Sequence, residues 1–147
     1  MNKRAAKEWL TKAWHNLSGA ILFYEADHYS DVTAVEIHYA VEKTLKSFLA
    51  YENQKILRTH DLYTLYQEVE HFVNLNDFLD LLEQITKYHI EEAYPQHGRP
   101  MPSQNEIKEA LNFAADIFDR VCKILDMRLL NNWDIVALNL FQGLIIY

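Results

Sequence analysis

Lysine, threonine and histidine side chains that could hold an anion lie on both sides of a polar connection in the first half of the chain. Lys43 and Lys46 are three residues apart, so in a helix they share one side. Thr59 and His60 come just before the next predicted helix, where unpartnered backbone N–H groups favour an anion. The residues alone leave a plainer alternative open. In it, Glu42 and Lys46 form an i,i+4 pair on a solvated helix face, and Thr59 merely caps a helix.

A second arrangement consists of two Glu-x-x-His pairs, which can ligate two metal ions in a four-helix bundle when two further glutamates join them. The pairs are Glu25–His28 and Glu68–His71, and the further glutamates would be Glu36 and Glu83. Both pairs fall at predicted helix ends, whereas di-metal ligands point inward from the middle of a bundle. We therefore expect no bound metal and no other cofactor, and a di-metal protein is the least favoured alternative.

The elements that position these residues are all predicted to be helices. Apolar residues recur every three or four positions, and the chain has only three glycines and three prolines, which argues against barrels, sandwiches and dinucleotide-binding loops. The predicted helices cover about 5–24, 30–51, 61–72, 77–90 and 103–130. The predicted fold class is all-α, an up-and-down bundle of four to five helices.

Local signals refine this bundle. The second helix is apolar over a wide arc, which indicates a central position. His38 falls on that apolar stripe, so we expect a buried and hydrogen-bonded histidine. Ser30 or Asp31 is expected to cap the second helix, and Ser103 with Glu106 predicts a capping box for the last one.

Length and composition indicate one ordinary domain. The chain has 147 residues, a net charge of −7 and one cysteine, Cys122, which excludes a disulfide framework and a cysteine-based zinc site. An acidic chain is a poor non-specific nucleic-acid binder, although segments 1–12 and 43–60 are each +3. There is no apolar leader and no run of about 18 apolar residues, so we expect a cytoplasmic protein without membrane contact.

The end of the chain differs from the rest. We expect the bundle to occupy residues 1–130 and an apolar tail to occupy residues 131–147. The tail holds the stretches 135–138 and 144–147, which are too apolar to stay in water. We expect it to pack on the bundle or on a second subunit.

Four sequence elements, in the right order, resemble the HEPN domain family of small all-helical proteins. The first helix resembles the family at Trp9-Leu10 and in the Ala-x-x-x-Leu-x-x-Ala pattern of 13–20, with Asn16 in place of the family's acid. The second helix resembles it over 38–46, where the family's glutamine pair is replaced. Thr-His-x-Leu matches at 59–62. Tyr-Pro matches at 94–95, although the arginine that precedes it in the family is an alanine here. The resemblance covers about residues 3–125.

The resemblance implies a bundle like the substrate-binding domains of nucleotidyltransferases, usually as a homodimer. It implies a nucleotide-binding or accessory protein, with a nucleotide or RNA as ligand. It also implies a small nucleotidyltransferase as partner, in a toxin–antitoxin-like module. If there is such a site, we expect five residues to border it as nucleotide- or phosphate-binding groups. They are Lys43, Lys46, Thr59, His60 and Tyr94.

Many proteins of this family are ribonucleases that use an arginine and a histidine four to six residues apart. That spacing is absent here, so we assign no catalytic residue and do not expect an enzyme. A degenerate ribonuclease stays open as the alternative. In it, His60 near Arg58 or His97 near Arg99 would imitate the missing pair in space, because histidine can move the 2′-hydroxyl proton and arginine can stabilise the phosphorane.

Overall fold

A computed structural model describes residues 1–95 and 97–127, and over these residues the protein is a bundle of five α-helices without strands. The predicted all-α fold is therefore confirmed. A single turn of 3₁₀-helix, Asn76–Phe78, leads directly into the fourth helix. The helices are α1 (Lys3–Glu25), α2 (Ser30–Tyr51), α3 (Leu62–Val69), α4 (Leu79–Glu91) and α5 (Gln104–Ile124).

Helix α2 is the centre of the bundle, as its wide apolar arc predicted. It packs along α1 and also contacts α3, α4 and α5. Almost every residue from Ala40 to Ala50 is buried, including several that carry polar side chains. Because a buried polar group must find a partner, these side chains bond within the bundle. Thr44, for example, donates from its hydroxyl to the carbonyl of Ala40.

Three of the helices end in the same way, although none of them is followed by glycine. Asp27, Asn53 and Asp126 take positive φ angles of 52°, 55° and 51° just after α1, α2 and α5. Asp and Asn are among the non-glycine residues that tolerate this conformation. At α5, the N–H of Met127 bonds to the carbonyl of Cys122, which closes a Schellman motif. This motif ends α5 at Ile124, so the prediction that the helix continues to residue 130 is wrong.

The other helix ends differ from prediction in smaller ways. Helix α2 has Tyr29 as its N-cap, not Ser30 or Asp31, and no side chain caps it. Ser103 does cap α5 by accepting from the N–H of Glu106. The carboxylate of Glu106 instead accepts a hydrogen bond from the hydroxyl of Tyr88 on α4. The predicted tail, residues 131–147, lies outside the described residues. Within the described part of the chain, no helix is long and apolar enough to cross a membrane.

Candidate functional site

One carboxylate in the middle of α2 gathers three basic side chains. Glu42 Oε1 lies 3.1 Å from His38 Nε2 and 2.6 Å from His60 Nδ1. Its other oxygen, Oε2, accepts from Lys46 Nζ at 3.2 Å. We call these four residues the Glu42 cluster. His38 and Lys46 lie one helical turn before and after Glu42, whereas His60 arrives from the connection between α2 and α3.

Burial makes this ionic cluster different from a surface pair. The side chain of Glu42 is only 5% exposed and that of His38 is fully buried. Burial alone would raise the pKa of Glu42, but the hydrogen bonds from His38 and His60 and the charge of Lys46 outweigh it and hold the pKa at about 2. Glu42 is therefore a stable anion at neutral pH, held by three donors.

His38 is the buried, hydrogen-bonded histidine that its position on the apolar stripe predicted. Its Nδ1 donates to the backbone carbonyl of Ile85 on α4 at 2.9 Å, while Nε2 faces Glu42. A carbonyl and a carboxylate can only accept hydrogen bonds from a ring nitrogen. Both contacts are therefore satisfied only when both ring nitrogens of His38 carry hydrogen. The bond to Ile85 also ties α2 to α4 at the level of the cluster.

His60 forms the open side of the Glu42 cluster, with 52% of its side chain exposed. The ring of His89, from α4, stacks on it with centroids 3.8 Å apart and planes inclined by 19°. Tyr39 approaches His89 edge-on at 5.7 Å. Burial, together with the nearby charges of His60 and His38, lowers the pKa of His89. The open side therefore presents a small aromatic surface beside the charged groups.

Lys46 completes the closed side of the cluster. Its side chain is 7% exposed, and Nζ lies 5.9 Å from the ring centroid of Trp9 on α1, close enough for a cation–π contact. The i,i+4 pair of Glu42 and Lys46 that the sequence suggested therefore forms, but in the interior. The alternative that placed this pair on a solvated face is wrong.

Lys43 belongs to a neighbouring polar network between α1 and α2. Its Nζ donates to Asn16 Oδ1 at 2.7 Å, and Asn16 Nδ2 donates to Glu36 Oε2 at 2.7 Å. The ammonium also lies 5.3 Å from the ring centroid of Tyr39. Burial lowers the pKa of Lys43, and the charges of Glu36 and Glu42 oppose that effect. The two lysines nominated from sequence thus have different direct partners, although both lie within electrostatic reach of Glu42.

The start of α3 is arranged differently from the predicted anion site. Asp61 is the N-cap, and its carboxylate accepts from the N–H of Tyr63. The N–H of Leu62 donates to the hydroxyl of Thr86, and the N–H of Asp61 donates to the hydroxyl of Thr59. These N–H groups at the start of the helix already have protein partners, so they are not free to bind an anion. Thr59 is thus an acceptor within its own turn, next to His60.

The last nominated residue, Tyr94, lies beyond the end of α4 and is 66% exposed. Among the described residues, the contacts that build the Glu42 cluster do not include Tyr94. Lys46 and His60 are therefore the nominated residues that the structure brings onto one group. Thr59 adjoins them in sequence, Lys43 lies to one side, and Tyr94 stands apart.

The other sequence candidates have partners of their own. His71 Nε2 bonds to Glu52 Oε1 at 2.9 Å, and His28 packs its ring against Phe23 and Tyr29. Over the described ranges, only the cluster residues His38, Glu42 and His60 bring three potential metal-ligand atoms together. The two Glu-x-x-His pairs do not converge.

The two arginines considered for a ribonuclease site differ in their surroundings. Arg99 forms ion pairs with Glu91 at 2.7 Å and Glu92 at 3.4 Å. Arg58 is exposed, and the Nδ1 edge of its neighbour His60 is bound to Glu42.

Sequence reasoning missed Glu42 as the central group and did not nominate His89. A signal for the first was present. Polar residues at positions 38, 42 and 46 are spaced four apart, so they form one line along a helix that is otherwise apolar. A polar line on a buried helix indicates side chains that satisfy one another inside the protein. His89 carries no such local signal, because only the packing of α4 on α2 brings it to His60.

Comparisons with known proteins agree with the fold and with the family resemblance. The model of the HEPN domain family matches residues 6–125, a range that contains the whole Glu42 cluster. The crystal structure of TT1696 from Thermus thermophilus is similar, with a TM-score of 0.71 and 25% sequence identity. That similarity covers 84% of this chain and 99% of the other. No curated protein matches the chain.

Proposed function

This chain belongs to the HEPN domain family, and from that premise we propose that it is a nucleotide-binding or accessory protein whose phosphate-binding surface is the open side of the Glu42 cluster. The observation that carries the proposal is the convergence of Lys46, His38 and His60 on a single carboxylate. Three basic groups around one anion leave local positive charge whenever a histidine is protonated. A phosphate group would be attracted to that charge.

His60 is the residue that would meet the ligand. Glu42 binds its Nδ1, so the ring is held with Nε2 at the opposite edge. A protonated Nε2 can donate to a phosphate oxygen, and charge-assisted bonds of this kind are the stronger ones. Thr59 precedes His60, and its hydroxyl oxygen accepts from the N–H of Asp61. That bond uses a lone pair of the oxygen, so the hydroxyl hydrogen can still donate to a ligand.

The neighbouring groups suit the remainder of a nucleotide. Stacked rings such as those of His60 and His89 can be extended by a nucleobase, because every base offers a π face. Lys43 lies within electrostatic reach of the cluster and would add long-range attraction for the phosphates. Lys46 would act from the interior as a fixed positive charge behind Glu42. Tyr94 stays in the proposal only as a residue at the border of the surface.

The test is a calorimetric titration of the chain with ATP, compared between the wild type and His60→Ala. His71→Ala is a matched control, because His71 is also half exposed and also bonds a glutamate. We expect ATP to bind the wild type and the control alike and the His60 variant at least about tenfold more weakly, a loss of about 1.4 kcal/mol. ATP affinity that is absent in all three proteins, or equal in all three, would overturn the proposal.

A degenerate ribonuclease is the second candidate, and one observation favours it. The 2.6 Å bond from His60 Nδ1 to Glu42 is the arrangement by which a carboxylate orients an imidazole for proton transfer at its other nitrogen. In such an enzyme, His60 would move the 2′-hydroxyl proton of RNA. We expect any RNA cleavage by the purified wild type to be lost in His60→Ala and kept in His71→Ala. RNA that stays intact with the wild type rejects this candidate.

The family also supports the proposal of a cytoplasmic homodimer that works beside a small nucleotidyltransferase, in a toxin–antitoxin-like module. Light scattering after size-exclusion chromatography measures both associations. We expect the mass of a dimer for this chain alone. A larger complex should form when a small nucleotidyltransferase encoded beside it is added. A monomer that forms no complex with the transferase would contradict both the proposed homodimer and the proposed partner.

A further inference from the structure

Three side chains of the Glu42 cluster also form an arrangement known from metal chemistry rather than from anion binding. His38, Glu42 and His60 each offer one ligand atom, and these atoms lie within 4.8 Å of one another. Two imidazole nitrogens and one carboxylate oxygen are a donor set that suits zinc and other first-row divalent ions. We propose that His38 Nε2, Glu42 Oε1 and His60 Nδ1 bind one divalent first-row transition-metal ion.

The distances allow such an ion with little movement. In a tetrahedral zinc site the metal–nitrogen and metal–oxygen distances are about 2.0–2.2 Å, so neighbouring ligand atoms are about 3.3 Å apart. The two ring nitrogens now lie 3.1 Å and 2.6 Å from Glu42 Oε1. The movement that the ion requires is therefore a separation of less than about one ångström within each of these two pairs, and an approach of at most about 1.5 Å between the two ring nitrogens, which lie within 4.8 Å of each other. His60 can supply it, because it lies in a connection and half of its side chain is exposed.

The groups behind the ligands support the proposal independently of these distances. A metal-bound histidine nearly always donates its other ring N–H to a carbonyl or carboxylate, and His38 does so to the carbonyl of Ile85 at 2.9 Å. A ligating carboxylate is in turn hydrogen-bonded, and Lys46 donates to the second oxygen of Glu42. Two of the three ligands are therefore already oriented as they are in metalloproteins.

Lys46 is the main opposing charge, and its position limits that opposition. It bonds Oε2, whereas both histidines face Oε1, so the ammonium and the ion would lie on different oxygens of the same carboxylate. Binding replaces the ring hydrogens on His38 Nε2 and His60 Nδ1 by bonds to the metal, and each ring keeps a hydrogen on its other nitrogen. An imidazolium ring releases one proton to solvent, whereas a neutral ring transfers its hydrogen to the other nitrogen through solvent. The exposed side, at His60, leaves further coordination positions for water. The site does not depend on nucleotide binding.

The experiment uses Zn²⁺ alone, with the full chain first freed of metal by a chelator and then dialysed. Isothermal titration and elemental analysis should give one Zn²⁺ per chain for the wild type. Substitution by Co²⁺ should give the visible absorption bands of a low-coordinate site with nitrogen and oxygen ligands. We expect His60→Ala to lower Zn²⁺ affinity by at least about 100-fold, since it removes a ligand and not merely an outer partner. His71→Ala should leave the affinity unchanged.

One further variant provides a second test of the ligand set. Glu42→Gln should also lose Zn²⁺, and if this buried substitution prevents folding, the half-exposed His60 still decides the matter. Equal Zn²⁺ binding by the wild type and His60→Ala, or an equal loss in His71→Ala, would overturn the proposal. So would a wild type that binds no Zn²⁺. Nucleotide titrations run with a chelator present test the proposed function separately, so either conclusion can fail without the other.

Discussion

Two pairs in this protein share one sequence pattern, a glutamate followed four residues later by a lysine, yet they lie in opposite surroundings. Glu42 and Lys46 on α2 are 5% and 7% exposed and lie 3.2 Å apart. Glu83 and Lys87 on α4 are 71% and 54% exposed and lie 3.6 Å apart. The spacing within each pair is the same, so the difference comes from the helix that carries each pair and from what packs around it.

The buried pair acquires its properties from distant parts of the chain. Trp9 of α1 lies beside the ammonium of Lys46, and His60 of the α2–α3 connection binds the carboxylate of Glu42. Ile85 of α4 holds His38, the third donor, in place. An exposed pair of charges is worth little because water screens it and both side chains lose freedom. A buried pair is different, since removal of one partner leaves the other charged and unsolvated.

The largest expected effect is on stability when each glutamate is neutralised. Glu42→Gln should lower the free energy of unfolding by about 3 kcal/mol, because Lys46 is left as a buried charge without a counterion. Glu83→Gln should lower it by less than about 0.5 kcal/mol. Urea unfolding followed by circular dichroism measures both. Similar losses of unfolding free energy in the two variants would show that burial does not change what the pair contributes to stability.

The burial of Glu42 should also appear in the pH dependence of stability. The pKa of Glu42 is about 2 in the folded protein and 4.5 in its ordinary state, so its contribution is fully present above pH 4.5. As the pH falls from 4.5 towards 2, that contribution of about 3 kcal/mol is progressively lost. The stability gap between the wild type and Glu42→Gln should therefore narrow over this window. A gap that stays constant down to pH 2 would contradict the lowered pKa.

Replacing the lysines should lower stability by less than replacing the glutamates. The buried lysine should again matter more than the exposed one. Lys46→Met keeps the apolar stem and leaves Glu42 with its two histidine donors, so we expect a loss of about 1–2 kcal/mol. Lys87→Met on the surface should change stability by less than about 0.5 kcal/mol. Thermal unfolding of the two variants side by side provides the measurement. A Lys46 variant as stable as the wild type would mean that the ammonium is dispensable to the cluster.

An intermediate case sharpens the comparison further. Asn16 links Lys43 and Glu36 across α1 and α2 through two bonds of 2.7 Å in a half-buried position. Asn16→Ala should cost about 1 kcal/mol, between the buried and the exposed pair, since water can partly replace the amide. Chemical denaturation again measures it. A cost as large as that of Glu42→Gln would show that burial does not set the order.

The five helices could be predicted from sequence because the signal for each is local. The apolar spacing of α2, with His38 on its stripe, already indicated a buried central helix. The end of α5 could not be predicted from sequence, because its Schellman motif has Asp126 at the position that glycine usually occupies. Aspartate is common in helices and turns alike, so it does not mark a helix end.

The site was predictable only in part, for a different physical reason. The sequence brought Lys46 and His60 forward as candidates, and both meet at Glu42. The sequence spacing placed Lys43 and Lys46 on one side of the helix. It could not show that Lys43 would instead donate a hydrogen bond to Asn16 of α1. His89 reaches His60 only through the packing of α4, which no local pattern encodes.

The most direct test of the Glu42 cluster as the ligand-binding surface is a long-range ¹H–¹⁵N NMR spectrum of the histidine rings, recorded with and without ATP in the presence of a chelator. We predict shifts in the ring nitrogens of His60 and His89, with the ring signals of His15 and His71 unchanged. Shifts confined to His15 or His71, or no change in any ring at saturating ATP, would contradict this assignment.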